Sequence, residues 1–99
     1  MPYDPLEMLG KIDPEMMKRL REQDEFVYAD GALPRKVKLL IAMAFDAAHG
    51  ASGGVRGLAG RAKKAGASDQ EIAEALRVAA HLSGVGALYT ASIGLKEAE

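Results

Sequence analysis

Asp46, His49 and Arg56 flank or enter one short stretch, HGASGG at residues 49–54, and they are the chain's candidates for chemistry. An imidazole titrates near neutrality and can move a proton, while a guanidinium can hold a carboxylate. Glycines at a helix start can also cradle a ligand on free amides. The specific versions of such a loop do not fit. A phosphate loop needs a preceding strand and a Gly-Lys-Ser/Thr ending, HGASGGVRG has neither, and no GxGxxG can be read in it. The plainer expectation is a tight turn between helices, with Gly53 and Gly57 giving a small-residue face for close backbone approach. His49 also has a plainer use, because a cation at a helix C-terminus suits the dipole and an imidazole can bond the free carbonyls there. His81 shares a row with Glu74 and Arg77 that reads as a solvated or inter-subunit polar stripe. The two histidines stand 32 positions apart with no third ligand at a useful spacing, so neither a metal nor any other cofactor is implied. There is no cysteine, which removes disulfides, thiolate ligands and thiol catalysis together.

These residues must be positioned by helices. Ninety-nine residues make one domain with one small core. Hydrophobic residues are 48 % of the chain but aromatics only 5 %, so that core is built from Ala, Leu, Val, Ile and Met. Thirteen Lys and Arg against 14 Asp and Glu give a formal charge of −1, which argues against binding nucleic acid by phosphate neutralisation. MPYDPLEMLG carries Asp4 and Glu7 where a signal peptide needs a cationic start and an apolar run, and no window is apolar enough for a membrane span. A soluble, cytoplasmic protein is expected.

Asp13-Pro14-Glu15 reads as N-cap, first helical position and first-turn acid of a helix to about Tyr28, with Met16, Met17, Leu20 and Val27 as its apolar members. PLEML at 5–9 adds a turn of helix before it, and DGALP at 30–34 is a turn that ends with Pro34 placed to start the next helix. From Arg35, the residues Val37, Leu40, Ile41, Ala44, Phe45 and Ala48 follow one helix face, which predicts a core helix. Leu39 and Met43 form a second apolar row, more than a lone small domain would cover. RKVK at 35–38 reads as a solvated first turn. The next helix, from about Gly53 to Ala65, turns Val55, Leu58, Ala59 and Ala62 inward and Arg56, Arg61, Lys63 and Lys64 outward, with Gly66 as its stop. Ser68-Asp69-Gln70-Glu71 is a capping box, the strongest local signal in the chain. Its helix continues through Ile72, Ala75, Leu76, Ala79 and Leu82 until Ser83-Gly84-Val85-Gly86 breaks or bends it. A last helix has Leu88, Ala91, Ser92 and Leu95 on one face and Tyr89 and Ile93 on another. No segment alternates with period two, so the fold class is all-α, a bundle of about five to six helices joined by short turns.

The order of a charged helix, DGALPRKVKLLIAMAFDAAHG, a short turn and AGRAKKAGASDQEIAEALRVAAHLSGVGALYTA resembles the carboxymuconolactone decarboxylase and alkyl hydroperoxidase D family over roughly residues 14–95. AGASDQEIAEAL at 65–76 is its most specific part. The resemblance implies an all-helical bundle that assembles as a homo-oligomer, a trimer or a hexamer of paired subunits. The surplus row at Leu39 and Met43 suits such an assembly. It also implies, for the peroxidase branch, a glutamate in the core helix and a CxxCxxxH motif opening the next. Counted back from Ala65-Gly66-Ala67-Ser68, the histidine falls at Leu58, the cysteines at Gly54 and Ala51, and the glutamate at Leu39, so none of the required chemistry is present.

The chain is therefore expected to be no cysteine-dependent peroxidase. Three readings remain open. A non-redox oligomer would bind a small carboxylated or lactone-like molecule in a pocket lined by Met43, Asp46, His49 and Arg56, shared between subunits. A decarboxylase-type enzyme acting on a small carboxylated lactone would use His49 as acid/base and Arg56 as anchor. A structural or adaptor subunit would use its apolar rows for assembly alone.

Overall fold

The computed structural model of the chain describes residues 6–98 and contains six helices and, among those residues, no strand. They are α1 (Glu7–Ile12), α2 (Pro14–Tyr28), α3 (Arg35–Ala48), α4 (Ser52–Lys64), α5 (Asp69–Ser83) and α6 (Gly86–Ala98). The helix expected from PLEML is α1; Pro5 lies outside the described residues. None of the helices among the described residues is long and apolar enough to cross a membrane.

The sequence signals act where expected. The Asp13 carboxylate accepts the Met16 N–H at 3.0 Å ahead of Pro14. At α5 the Glu71 N–H donates to the Ser68 hydroxyl at 3.1 Å while the Ser68 N–H donates to the Glu71 carboxylate at 2.9 Å, so two free amides are satisfied reciprocally. Pro34 offers α3 no side-chain cap; instead Asp30 accepts the Arg35 N–H at 2.6 Å. Two helices end in Schellman turns. In the first, the Ala51 N–H donates to the Asp46 carbonyl at 2.8 Å and Gly50 to Ala47, with Gly50 at φ +80°. In the second, Ala67 donates to Ala62 at 2.9 Å and Gly66 to Lys63, with Gly66 at φ +101°. Both glycines sit where a Cβ would be strained.

Helices α3 to α6 form the body. Its larger core joins Met43, Ala47, Val55, Ala59, Ile72, Leu76, Ala79, Ala87 and Ala91. So many alanines let helices approach closely, most of all at Gly94 of α6, where an added Cβ would stand 2.6 Å from the Ser52 carbonyl oxygen and 2.8 Å from the Val55 Cβ. The close approach expected at Gly53 and Gly57 is absent: a Cβ at either would meet nothing within 4 Å, and it is Gly54 and Gly94 that need to be small.

The apolar faces of α3 are the reverse of the expectation. Leu39, Met43 and Ala47 are the buried row, because α4 lies across it, while Ile41 and Phe45 remain 44 % and 62 % exposed. The surplus row is thus covered within one chain, while of the row expected in the core Leu40 and Ala44 pack against the larger core and Ile41, Phe45 and Ala48 lie uncovered. Leu82, in series with Ile72, Ala75, Leu76 and Ala79 on α5, is 80 % exposed. On α6 the buried positions are Ala87, Ala91 and Gly94 rather than Leu88, since α6 docks through its smallest side chains.

Helix α2 buries only Met17. Polar links hold its C-terminal end. Lys38 donates to the Ala29 carbonyl at 2.7 Å and Arg35 to the Tyr28 carbonyl at 3.4 Å, bringing two cations to the negative end of the helix dipole. Lys36 pairs with Glu71 at 2.9 Å and ties the first turns of α3 and α5. RKVK is therefore a set of inter-helix ties rather than a solvated face. Arg61, expected outward, reaches back to α2 instead.

Candidate functional site

The turn between α3 and α4 answers what HGASGG is for locally: His49 is the C-cap of α3, Gly50 supplies the left-handed residue of the Schellman turn, and Ala51 is the N-cap of α4. His49 is exposed. Its Nδ1 lies 2.7 Å from the Phe45 carbonyl oxygen, and its ring stacks on Phe45 at 6.2 Å between centroids. A carbonyl only accepts, so Nδ1 is the donor in this contact. The imidazole is first of all a helix cap.

Asp46 is half-buried and its carboxylate lies against Gly54, in the space a side chain at that position would need. Arg56, further along α4, is half-buried and makes no ion pair or side-chain hydrogen bond with the described residues. Met43 is fully buried in the core and lines no cleft. Two of the clefts on the body of a single chain have walls that do not include Met43, Asp46, His49 or Arg56. Among the described residues no group of three His, Cys, Asp or Glu could hold a metal ion.

The positions where the resemblance places a thiol relay are filled differently. Leu39, at the glutamate position, is 0 % exposed and forms a second, smaller core with Ala62 and Ala67. Leu58, at the histidine position, packs against that same cluster together with Leu40 and Tyr28. Gly54 is pressed on Asp46, and Ala51 is exposed at the turn. Hydrocarbon meets hydrocarbon where acid and base would have faced each other.

Three residues that the sequence does not mark as functional govern this spot. Arg61 donates to both carboxylate oxygens of Asp24, at 3.2 and 2.7 Å, and its guanidinium lies 4.9 Å from the centre of the Tyr28 ring. Tyr28 in turn covers the Leu39 cluster. Arg61 and Asp24 are 37 positions apart, and no local pattern marks them.

The first cleft, of about 510 Å³, runs between α3 and α5 past Val37, Ile41, Phe45, Val78 and Leu82, and no charged residue lines it. The second, of about 640 Å³, has Lys63, Asp69 and Lys96 around a floor of Ile72, Leu76, Leu88 and Leu95. Lys63 and Asp69 pair across its edge at 3.3 Å. The one carboxyl with a displaced pKa among the described residues is away from both: Glu71 is held below its ordinary value, first by the hydrogen bond from the Ser68 backbone N–H and then by Lys36.

Fold and site together define an all-helical domain whose α3–α4 junction carries no sulfur. The model of the carboxymuconolactone decarboxylase family matches residues 14–97, and the chain belongs to that family. No curated protein and no solved structure matches it.

Proposed function

We propose that the chain is a non-redox member of the carboxymuconolactone decarboxylase family that works as a homo-oligomer, in a structural role built on the face between α3 and α5. The observation that carries this reading is the pairing of a closed centre with an open apolar face. Leu39 is fully buried where a relay acid would stand, while Ile41, Phe45, Val78 and Leu82 are 44, 62, 60 and 80 % exposed around a cleft without charge. An exposed apolar patch of this kind marks an interface in most soluble proteins. A second copy is the occupant the chemistry favours, since an uncharged apolar patch suffers no charge repulsion when copies meet, whether around a ring or across a two-fold.

Native mass spectrometry and light scattering test the reading. Wild-type protein at about 10 μM, within the range stable homo-oligomers tolerate, is expected to be a trimer or hexamer. Phe45→Glu and Leu82→Glu shift it towards monomer with helix content unchanged, because both side chains lie on the surface of a single chain. A monomeric wild type overturns the proposal.

A second reading keeps a small carboxylated ligand, bound or decarboxylated, at the α3–α4 turn. It is favoured by Arg56, half-buried without an ion-pair partner among the described residues, on the helix that follows His49. Turnover of carboxymuconolactone-like compounds, abolished in His49→Ala, would establish it; no turnover across such a panel removes it.

A further inference from the structure

Helix α2 is attached in an unusual way for a 15-residue helix. It puts a single side chain, Met17, in the core and leaves Met16, Phe26 and Val27 at least 43 % exposed. Its C-terminal half is held by charge-assisted contacts that solvent can reach. The pair of Arg61 with Asp24 is 35 % and 43 % exposed, and the Arg61 guanidinium also lies over Tyr28. Beneath Tyr28 is the Leu39, Ala62 and Leu58 cluster at the substituted centre. Parts of a protein with few buried apolar contacts and solvent-facing polar ties open at lower free energy than the core.

We propose that the C-terminal half of α2 is a lid over the Leu39–Leu58 cluster, latched by Arg61, and that it opens as a unit while α3 to α6 stay folded. One arginine does two jobs in the latch. Its forked N–H groups hold Asp24 in a bidentate pair, which fixes the rotation of α2, and its face holds the Tyr28 ring down on the cluster. Lysine has neither the fork nor the plane, so it cannot replace arginine here. Opening swings Tyr28 off and bares Leu39 and Leu58, the two positions at which the family resemblance puts a relay. The lid stands apart from the oligomer reading: α2 can be latched in a monomer or in an assembly.

Hydrogen exchange followed by mass spectrometry on the full chain tests it. Peptides covering residues 18–28 are expected to exchange about tenfold faster in Arg61→Met than in wild type, the size expected when a partly exposed ion pair and a cation–π interaction are removed together. Arg61→Lys and Asp24→Asn fall between, and peptides from α3 to α5 are unchanged. Raising NaCl from about 0.05 M to about 1 M accelerates α2 exchange in wild type and leaves Arg61→Met unaffected, because salt screens a half-exposed pair. Equal exchange of α2 in wild type and Arg61→Met overturns the proposal. So does acceleration of α2 and the core together, which is global unfolding and no lid. If Arg61→Met does not fold, Asp24→Asn and the salt response of wild type decide, and α2 exchange insensitive to both overturns it.

Discussion

Placing a carboxylate at position 39, where the resemblance puts a glutamate, should destabilise the protein. Leu39 is 0 % exposed among Ala62, Ala67, Leu40, Leu58 and Tyr28, and among the described residues no buried polar or charged side chain is present to receive a new one. In Leu39→Glu the burial of a leucine is forfeited, about 2 kcal/mol, and a carboxyl without a partner is enclosed, about 1–3 kcal/mol even in its neutral form. The sum, about 3–5 kcal/mol, is a large part of the 5–15 kcal/mol typical of a whole domain. At roughly 4–8 °C per kcal/mol for a chain of this size, the melting temperature falls by about 12–40 °C. The pH dependence separates this cause from simple loss of packing. Burial raises the carboxyl pKa in the folded variant above its unfolded value, so the folded state binds more protons and stability declines as pH rises above about 4.3. Leu39→Gln has the same shape without the titration. Thermal melts followed by circular dichroism at fixed protein concentration, at about pH 5 and pH 8 on either side of most of that window, compare the three proteins. Leu39→Glu melting within about 3 °C of wild type, less than 1 kcal/mol, would refute the filled centre. A gap between the Glu and Gln variants that does not widen with pH would refute the argument from an unpaired buried carboxyl.

Two smaller perturbations test the packing and the caps. Gly94→Ala drives a Cβ into the Ser52 carbonyl and Val55, so α6 must move off α4 at a cost of about 1–3 kcal/mol. Gly57→Ala meets open space and should stabilise by about 0.5–1 kcal/mol through helix propensity; denaturant titrations giving both variants the same sign would contradict this difference in packing. The Glu71 carboxyl, held below its ordinary value of 4.5 by the Ser68 N–H and Lys36, contributes stability that is present above that value and lost as pH falls through the lower, folded one. Lys36→Met should therefore flatten the acid limb of the stability–pH curve, and an unchanged acid limb would mean that the Lys36 ion pair does not matter.

The helices were legible in the sequence because their ends are local. Asp13-Pro14, the Ser68–Glu71 box and Gly66 each act within a few residues of themselves, and each does in the structure what its spacing implies. Which face of a helix is buried was not legible where both faces are apolar. On α3 the rows Leu39–Met43 and Ile41–Phe45 have equal claims by periodicity, and only the position of α4, a matter of tertiary packing, decides between them. Glycines misled for a related reason. Gly53 and Gly57 form a regular pair by spacing, yet the close contacts are made by Gly54 and Gly94, whose partners lie on other helices. Arg61 shows the same limit for charge: its neighbours Lys63 and Lys64 are exposed as expected, while it crosses to Asp24 and Tyr28. The candidate site was legible as a set of residue types and an alignment of positions. Whether side chains on neighbouring turns converge is a property of the folded surface, which spacing along one chain does not encode.

The helical frame depends on atoms other than those at which the resemblance places chemistry. The turn that carries HGASGG closes with backbone bonds from Gly50 and Ala51 to α3 and a left-handed glycine, none of which involves a sulfur. The caps that set the helix starts lie at Asp13, Asp30 and Ser68, away along the chain from positions 51, 54 and 58. A buried acid and base cost desolvation that a well-packed hydrocarbon pair avoids. Leucine at 39 and 58 therefore removes an energetic cost while adding apolar contact, and the cluster can then receive Tyr28 as a cover. Hydrocarbon at these two positions tightens the fold around them, and an acid and a base placed there would be held at the expense of that packing.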